Sequence, residues 1–592
     1  MSSKAGKILG LFAILTIGFI LFLVRVFDIT TSDRFQVNLI KKETDTPLRG
    51  EISSADGYKI ANSKQTYSIS VNPDNIKSDQ YNLFVKLFTI YSGLNEKELK
   101  AMLKGDKRVV LLNSVDAKTA RNFRQLSTTL DRMKIFTPKK VGGKYYRYGL
   151  EVLENEFLRS YPYGDSLEPA LGYVQTGGMS GLAGLEGYYE KSVSAERLGF
   201  TQGYKDVGGN LILNAKLDKI VKSDGLNLKL NIDIKLQKQI EHIVDSFKNS
   251  LEANEIIASV LDSSTGRVIS LASSNRYAPN NIPKSSVTAM KVNSIQYVYE
   301  PGSTLKPFVF ALLLESGKVN PAELVKGFNG RMPLGGKIIT DEHKALYMSA
   351  EEGIIFSSNI VMAQLAQRLG AIEYFDGLSK FGFGKKSGID MLYELKGNLP
   401  EKSSLSHEIY KATASYGYGL RVNFIQVMAG YNIFNNEGKY ITPKLADSLY
   451  SDSYRQKITP DEERQVISTD SASKIKGILK KVVEKGTGVG AAIEGLDIGG
   501  KTGTAHIAKD GGYVRRFNSS FFGFANDMRS KYTIGVLVIE PKKEHFGSMT
   551  AVPVFKGIVS SMVKSNLLKP HVEPLDNAAK PSTEHPISEK QE

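Results

Sequence analysis

The stretch Tyr299-Glu300-Pro301-Gly302-Ser303-Thr304-Leu305-Lys306-Pro307-Phe308 places a hydroxyl and an amine three residues apart just after a turn signal. If a helix begins near Ser303, residues i and i+3 share a face, and the Lys306 ammonium approaches the Ser303 hydroxyl. A serine hydroxyl is a poor nucleophile at neutral pH. An amine takes its proton when a dry, cation-rich site lowers the amine's pKa. Pro307 works against a simple helix, because the residue before a proline is pushed toward extended backbone. A proline in the first turn is still tolerated, since the N–H groups there lack partners. By itself the pair also fits a helix N-cap followed by a solvated lysine.

Two further segments carry compatible chemistry. Ser349-Ala350-Glu351-Glu352 is a capping box that opens a helix toward Phe356. Ser357-Ser358-Asn359 follows, then a helical run with Val361, Leu365 and Leu369 in phase. Read locally, the Ser-Ser-Asn run caps that second helix. Read functionally, it puts a hydroxyl and a carboxamide on an interhelical loop, able to relay a proton and hold an amide. Farther on, Gly499-Gly500-Lys501-Thr502-Gly503-Thr504-Ala505 has glycines along a strand that let a peptide approach the backbone. There Lys501 supplies charge, while Thr502 and Thr504 supply hydroxyls.

Composition bounds the alternatives. A chain of 592 residues holds two or more domains, and 41% hydrophobic with 23% charged residues is the balance of a globular protein. With no cysteine, thiol nucleophiles, thiolate metal sites and disulfides are all excluded. The seven histidines are scattered without metal-ligand spacing, so neither a metal nor another cofactor is expected; His506, beside the third segment, is close enough to touch a substrate. A net charge of +15 suits work beside an anionic membrane face, and no zinc-finger, ribonucleoprotein or Walker motif points to nucleic acid.

In chain order, residues 1–7 form a short cytoplasmic tail. Residues 8–27 form an uncleaved transmembrane anchor, for no small-x-small cleavage site follows the apolar block. Lys4 and Lys7 place the N-terminus inside. Residues 28–222 read as a mixed pedestal of short strands, with a helix over Gln80 to Lys104 whose Leu83, Leu87, Ile90 and Leu94 are in phase. Arg49-Gly50-Glu51-Ile52, Tyr161-Pro162-Tyr163-Gly164 and Gly181 to Gly187 read locally as turns. Gly208-Gly209 and Lys219 to Gly225 mark a boundary. Over 223–570 the order is an amphipathic helix (Leu236, Ile240, Ile243, Val244, Phe247), a hairpin (Ile256 to Leu261, Val268 to Ala272) and a long helical middle. Strands (Ser520 to Phe524, Tyr532 to Ile539) and a last helix through Val554 and Met562 complete it. This pattern predicts an α+β fold, a mainly antiparallel sheet with helices on both faces. A disordered tail is expected over 571–592.

In the order Ser-x-x-Lys, Ser-x-Asn, Lys-Thr-Gly, the three segments resemble the monofunctional, class B penicillin-binding proteins, serine D,D-transpeptidases of peptidoglycan synthesis. The likeness takes in the anchor, Arg49-Gly50, Gly184-Leu185-Glu186, Ala414-Ser415-Tyr416-Gly417-Tyr418-Gly419 and Gly486-Thr487-Gly488. These last segments and the Ser-Ser-Asn variant are more similar to the septal than to the elongation branch. Ser53-Ser54-Ala55-Asp56-Gly57 departs from the family's Asp-Arg-Asn-Gly.

The resemblance implies a β-lactamase-like transpeptidase domain on an elongated pedestal, with roles for eight residues. Ser303 attacks the penultimate D-alanine carbonyl of a stem peptide, with Lys306 as general base. Ser357 passes a proton to the departing D-alanine. Asn359 grips the peptide amide and helps hold Lys306. Lys501, Thr502, Gly503 and Thr504 bind the substrate and its terminal carboxylate, and the backbone N–H groups of Ser303 and Thr504 form the oxyanion hole. Implied partners are stem peptides, β-lactams as covalent inhibitors, a glycan polymerase of the shape, elongation, division and sporulation family, and divisome proteins. The implied location is the bacterial inner membrane with the catalytic domain outside. The alternatives are an elongation-type enzyme, a hydrolase, or a β-lactam sensor or scaffold. No Glu-x-x-Leu-Asn deacylation motif lies between Asn359 and Lys501, and only about seven residues precede the anchor where a sensor needs an effector domain.

Overall fold

A computed structural model describes residues 3–31, 40–105, 107–141, 144–146, 149–175, 180–206, 211–212, 218–509 and 512–571. Gly208-Gly209 and the tail from 572 lie outside the described residues. The contacts divide the chain into two units, Met1–Pro47 with Ala195–Asp224, and Leu48–Ser194 with Gly225–Glu592.

In the first unit, a helix spans Ser3–Thr31, and Ala5–Thr31 has a mean hydropathy of 2.6 over its best window. The helix extends past both ends of the 8–27 span. At about 1.5 Å per residue it is long and apolar enough to be compatible with a single-pass membrane anchor. The same unit holds a three-stranded antiparallel sheet in which Gly199–Tyr204 pairs with Ile40–Asp45 and with Asp218–Ile220.

In the second unit, Lys59–Val71 pairs with both Val109–Val115 and Glu151–Ser160. Ile52–Ser53 runs parallel to Asn227–Leu230, which pairs antiparallel with Ala446–Tyr450. Residues on either side of the 222/223 division therefore share one sheet. The helix expected over Gln80 to Lys104 is two helices, Tyr81–Ser92 and Glu96–Met102, because Gly93 adopts a left-handed conformation that ends the first. Its buried stripe is also different. Phe84, Val85 and Phe88 face the core, while Leu83 and Ile90 are exposed. The aromatic stripe wins because each ring removes more apolar surface from water, here against Phe123 and Phe136.

Of the segments read locally as turns, Tyr161 to Gly164 is one, with the Gly164 N–H donating to the Tyr161 carbonyl at 3.1 Å, while the other two contribute Arg49 and Glu186 to a buried ion cluster. Arg49 Nε donates to Glu186 Oε2 at 2.8 Å, and Arg159 Nε donates to Glu186 Oε1 at 2.7 Å. Arg49 also pairs with Glu190, and Arg159 Nη1 donates to the Gly50 carbonyl. The nonstandard Ser53 to Gly57 run makes a tight turn in which Asp56 accepts the Ile234 N–H.

The catalytic part is built on one antiparallel sheet of five strands: β1 (Glu255–Asp262), β2 (Val268–Ser273), β3 (Asp497–Lys509), β4 (Gly512–Asn526) and β5 (Lys531–Ile539). Their spatial order is β2-β1-β5-β4-β3, which leaves β3 at an edge. Alternate residues serve two cores, as the pleat requires. Ile256, Ala258, Val260 and Phe521 pack with the helices Ile234–Leu251 and Ala551–Lys564. Ile257, Leu261 and Phe522 pack on the opposite side with Phe308, Phe424 and Tyr431. Helices thus cover both faces, as the sequence pattern predicts.

The ion cluster sets a test of the fold. Glu186→Gln leaves two buried guanidinium groups without their shared counter-charge, a change that costs about 3 to 5 kcal/mol. A lowered urea midpoint of the purified chain is expected, and an unchanged midpoint contradicts the role given to the cluster.

Candidate active site

The Ser-x-x-Lys segment is shaped by a short 3-10 turn, Gly302–Leu305, that runs into the helix Lys306–Glu315. Lys306 is itself helical (φ −53°, ψ −43°) although a proline follows it, and Pro307 occupies the first turn where its missing N–H costs nothing. Behind this turn Phe308 lies in an aromatic cage of Phe381, Phe383, Tyr431 and Phe434 at 4.9 to 5.2 Å. The Tyr431 hydroxyl donates to the Thr304 carbonyl at 2.8 Å, fixing the turn from below.

Two glycines let this turn sit against the sheet edge. Gly302 has φ +58°, and a Cβ there would lie 3.1 Å from the Ala505 Cβ. A Cβ on Gly503 would lie 2.8 Å from the Thr304 side chain and 2.6 Å from Ser520 Oγ. Gly503 therefore makes room for the nucleophile turn, and it does not line the cleft, contrary to the reading in which it admits a bound peptide.

The capping box is present, with Ser349 Oγ accepting the Glu352 N–H over the helix Ala350–Ile355. Ser357 follows at φ +63°, a strained value for a residue with a side chain. Ser358 caps the next helix, Asn359–Ala366. The loop and cap readings of Ser-Ser-Asn are therefore both realised, by different serines. Asp341, which the sequence reading passed over, holds this loop. Its Oδ1 accepts the Asn359 N–H at 2.6 Å and the Ile360 N–H at 3.2 Å, and its Oδ2 accepts from the Ser358 hydroxyl.

The strained turn aims Ser357 at the lysine. The Lys306 amine donates to the Ser357 carbonyl, and to Ser357 Oγ at 3.2 Å. The Asn359 amide is engaged elsewhere than at Lys306, its Nδ2 donating to the Thr340 carbonyl at 3.1 Å. Burial lowers the Lys306 pKa to about 7, against the opposing pull of Asp341 and Glu342. Lys501 is fully buried too, and burial together with Lys306 holds its pKa well below the lysine range. Its amine donates to the Thr502 carbonyl at 3.2 Å and to Thr502 Oγ1 at 3.4 Å. It stands behind the cleft wall, so the direct charge-to-charge contact expected of it is not what this arrangement offers.

Ser303, Ser357, Asn359, Thr502 and Thr504 line one cleft of about 500 Å³, whose walls also include Asp341, Tyr418, Thr487, His506 and His545. The cleft thus brings together residues far apart in sequence, with Lys306, Lys501 and Gly503 immediately beneath them. Ser303 and Thr504 border it from the turn and from the edge strand. Thr487 Oγ1 lies 2.7 Å from Thr502 Oγ1, and Thr504 Oγ1 accepts the Gly547 N–H at 3.1 Å. Neither partner had a role in the sequence reading, although Thr487 stands in the Gly486-Thr487-Gly488 segment noted there. His506 does reach the cleft, where its ring lies 4.5 Å from Phe517.

Among the described residues no group of three or more histidine or acidic side chains could hold a metal ion. The chemistry available is a serine hydroxyl, a depressed-pKa amine and a rim of hydroxyl and N–H donors, the parts needed for acyl transfer.

Comparison with known proteins points to the same class of chemistry. Residues 256–560 match the penicillin-binding protein transpeptidase domain, and residues 44–230 match the penicillin-binding protein dimerisation domain. The chain is 28% identical over 539 residues to the stage V sporulation protein D of Bacillus subtilis, covering 90% of this chain and 80% of that one. It is 26% identical over 543 residues to the peptidoglycan D,D-transpeptidase FtsI of Buchnera aphidicola, covering 90% and 89%. Its fold resembles penicillin-binding protein 3 of Mycobacterium tuberculosis, solved with aztreonam, at a TM-score of 0.65, 20% identity, and coverage of 90% and 98%. With the transpeptidase model spanning more than half of its length, the chain belongs to the penicillin-binding protein transpeptidase family.

Proposed function

We propose that the protein is a serine D,D-transpeptidase that cross-links peptidoglycan stem peptides through an acyl-enzyme. One observation carries the reading: the Lys306 amine is buried beneath the cleft, held by Ser357 and depressed to a pKa of about 7. At pH 7 about half of such an amine is neutral, whereas an ordinary lysine has roughly one part in 3000 neutral. That difference is what a serine nucleophile requires.

In the proposed cycle, Ser303 Oγ attacks the carbonyl carbon of the penultimate D-alanine, and its proton passes to the neutral Lys306 amine. The oxyanion is met by the backbone N–H groups of Ser303 and Thr504, each contributing about 3 to 4 kcal/mol. As the tetrahedral intermediate collapses, Ser357 relays the proton from Lys306 to the leaving D-alanine nitrogen, and an ester remains on Ser303. An amine from a second stem peptide attacks that ester and gives its proton to Lys306, which passes it to the Ser303 oxygen as the ester breaks, so that the cross-linked product leaves with the Ser303 hydroxyl and the neutral amine both restored. Thr502 and Thr504 hold the terminal carboxylate by their hydroxyls. Lys501 acts from behind by polarising Thr502, and Asn359, tethered through Thr340, holds the donor amide. β-Lactams acylate the same serine.

The septal branch is the reading that the Gly-Tyr and Gly-Thr segments favour. In this reading the N-terminal helix is an inner-membrane anchor with the N-terminus in the cytoplasm and the catalytic domain outside, and the family resemblance supports a glycan polymerase and divisome proteins as partners. The domain spans proposed are 8–27 for the anchor, 28–222 for the pedestal and 223–570 for the transpeptidase domain, with the anchor helix running past both ends of its span and one sheet shared across the 222/223 boundary.

Two tests follow. Fluorescent penicillin should label the wild type and fail to label Ser303→Ala, and retained labelling contradicts the assignment of the nucleophile. The rate of penicillin acylation should fall as pH drops through about 7, because protonation of Lys306 removes the base. Asp341 favours the ammonium form, so Asp341→Asn should move this acid limb to lower pH. It should also lower the plateau about ten-fold, since the Ser357 loop loses its carboxylate staple. An unmoved limb in Asp341→Asn, measured by stopped-flow, contradicts this electrostatic picture.

A further inference from the structure

Two connected groups of residues line the cleft. Thr502, Thr504 and His506 of β3 are joined to Gly547, whose N–H donates to Thr504 Oγ1. Thr340, Asp341, Glu342, Phe356, Ser357 and Asn359 form the second group. It is held together by Asp341, by the Asn359 bond to the Thr340 carbonyl, and by the His343 ring stacked on Phe356 at 4.4 Å.

Asp341 and Glu342 are the carboxylates that line the cleft, and they are differently placed. Both Asp341 oxygens are spent on Ser358, Asn359 and Ile360. Glu342 is exposed, and it makes no ion pair or hydrogen bond among the described residues. Its charge is near enough to Lys306 to favour the ammonium there. The neighbouring Lys344 packs elsewhere, with its stem beside Gly330.

An acceptor amine must reach the same carbonyl carbon that the D-alanine nitrogen leaves. Formation and aminolysis of the ester pass through tetrahedral intermediates of the same kind, so the entering nitrogen takes the position of the departing one, next to Ser357. On the reading proposed above, the donor is held by β3 and Asn359. What remains for the acceptor is the rest of the second group, where Glu342 lies. At neutral pH an alkyl amine arrives as an ammonium, and a carboxylate without a partner suits it. Such a charge also raises the local concentration of the amine over that of water, the competing acceptor.

We propose that Glu342 is a binding residue for the acceptor, its carboxylate holding the ammonium of the second stem peptide beside Ser357 and favouring transfer to that amine over transfer to water. The proposal rests on the transpeptidase reading. The bound ammonium releases one proton to solvent, and the neutral amine then attacks the Ser303 ester in the cycle given above.

The test uses the full chain, a synthetic donor peptide ending in D-Ala-D-Ala, and two acceptors. One is Nα-acetyl-lysinamide, whose single charge is an ammonium, and the other is hydroxylamine, which is uncharged at the assay pH. At about pH 8.5 a lysine amine is still mostly protonated while Lys306 is neutral, so the charge of the base does not enter the comparison. The readout is the concentration of Nα-acetyl-lysinamide giving half-maximal transfer divided by that of hydroxylamine. Both are measured in the same protein, so a change common to the two acceptors cancels. Glu342→Gln should raise this ratio about five-fold, and Glu342→Lys should raise it further. In the wild type, added sodium chloride should raise it as well, because salt screens an exposed charge pair. A ratio that is the same in Glu342→Gln as in the wild type, or a wild-type ratio indifferent to salt, overturns the proposal. So does a wild type that releases D-alanine but transfers the acyl group to hydroxylamine alone. Absence of D-alanine release overturns the transpeptidase reading itself, and this one with it.

Discussion

The site depends on an amine kept away from water without a carboxylate to pair with it. Lys306 makes no ion pair among the described residues, and its hydrogen bonds go to the carbonyl and hydroxyl of Ser357. Desolvation disfavours the ammonium, and one carbonyl and one hydroxyl return only part of the lost solvation. Lys501, the second buried amine, is depressed by burial and by the nearby Lys306. The one-sided environment is the source of reactivity. A carboxylate against Lys306 Nζ would lock the proton on and leave Ser303 an ordinary alcohol.

Maintaining that environment requires several segments to be held against their local preferences. Ser357 takes a left-handed backbone, stabilised by the Asp341 carboxylate bonding the next helix at three points. The nucleophile turn is pressed against the β3 edge through Gly302 and Gly503, and from below by the Phe308 cage and Tyr431. The two cores on either face of the sheet supply the rigidity that makes these positions single-valued.

What was legible in the sequence divides along the same physical line. Elements set by local periodicity or capping appear where expected: the capping box at Ser349, the hairpin from Glu255 to Ser273, and the last helix with Val554, Phe555, Ile558 and Met562 buried. The motifs' order was legible because each needs a fixed short spacing. Contacts made by tertiary packing were not. Nothing near Lys501 in sequence says that its amine ends behind the wall, and nothing near Gly503 says that Thr304 fills its space. Asp341 lies in a polar run where an acidic residue reads as solvated, and its role exists only once the strand Lys337–Thr340 is laid beside the helix Asn359–Ala366. The helix at Tyr81 shows the same limit from the core side, for two apolar stripes were in phase and only packing against Phe123 selects one.

The central claim, a neutral amine poised beneath Ser303 at physiological pH, is open to direct observation. Chain labelled at lysine with nitrogen-15 and carbon-13 can be titrated by NMR, with the Lys306 signal assigned by its loss in Lys306→Arg. The account predicts that this amine titrates near pH 7. A Lys306 amine that stays protonated up to about pH 10, as an ordinary lysine does, would contradict it.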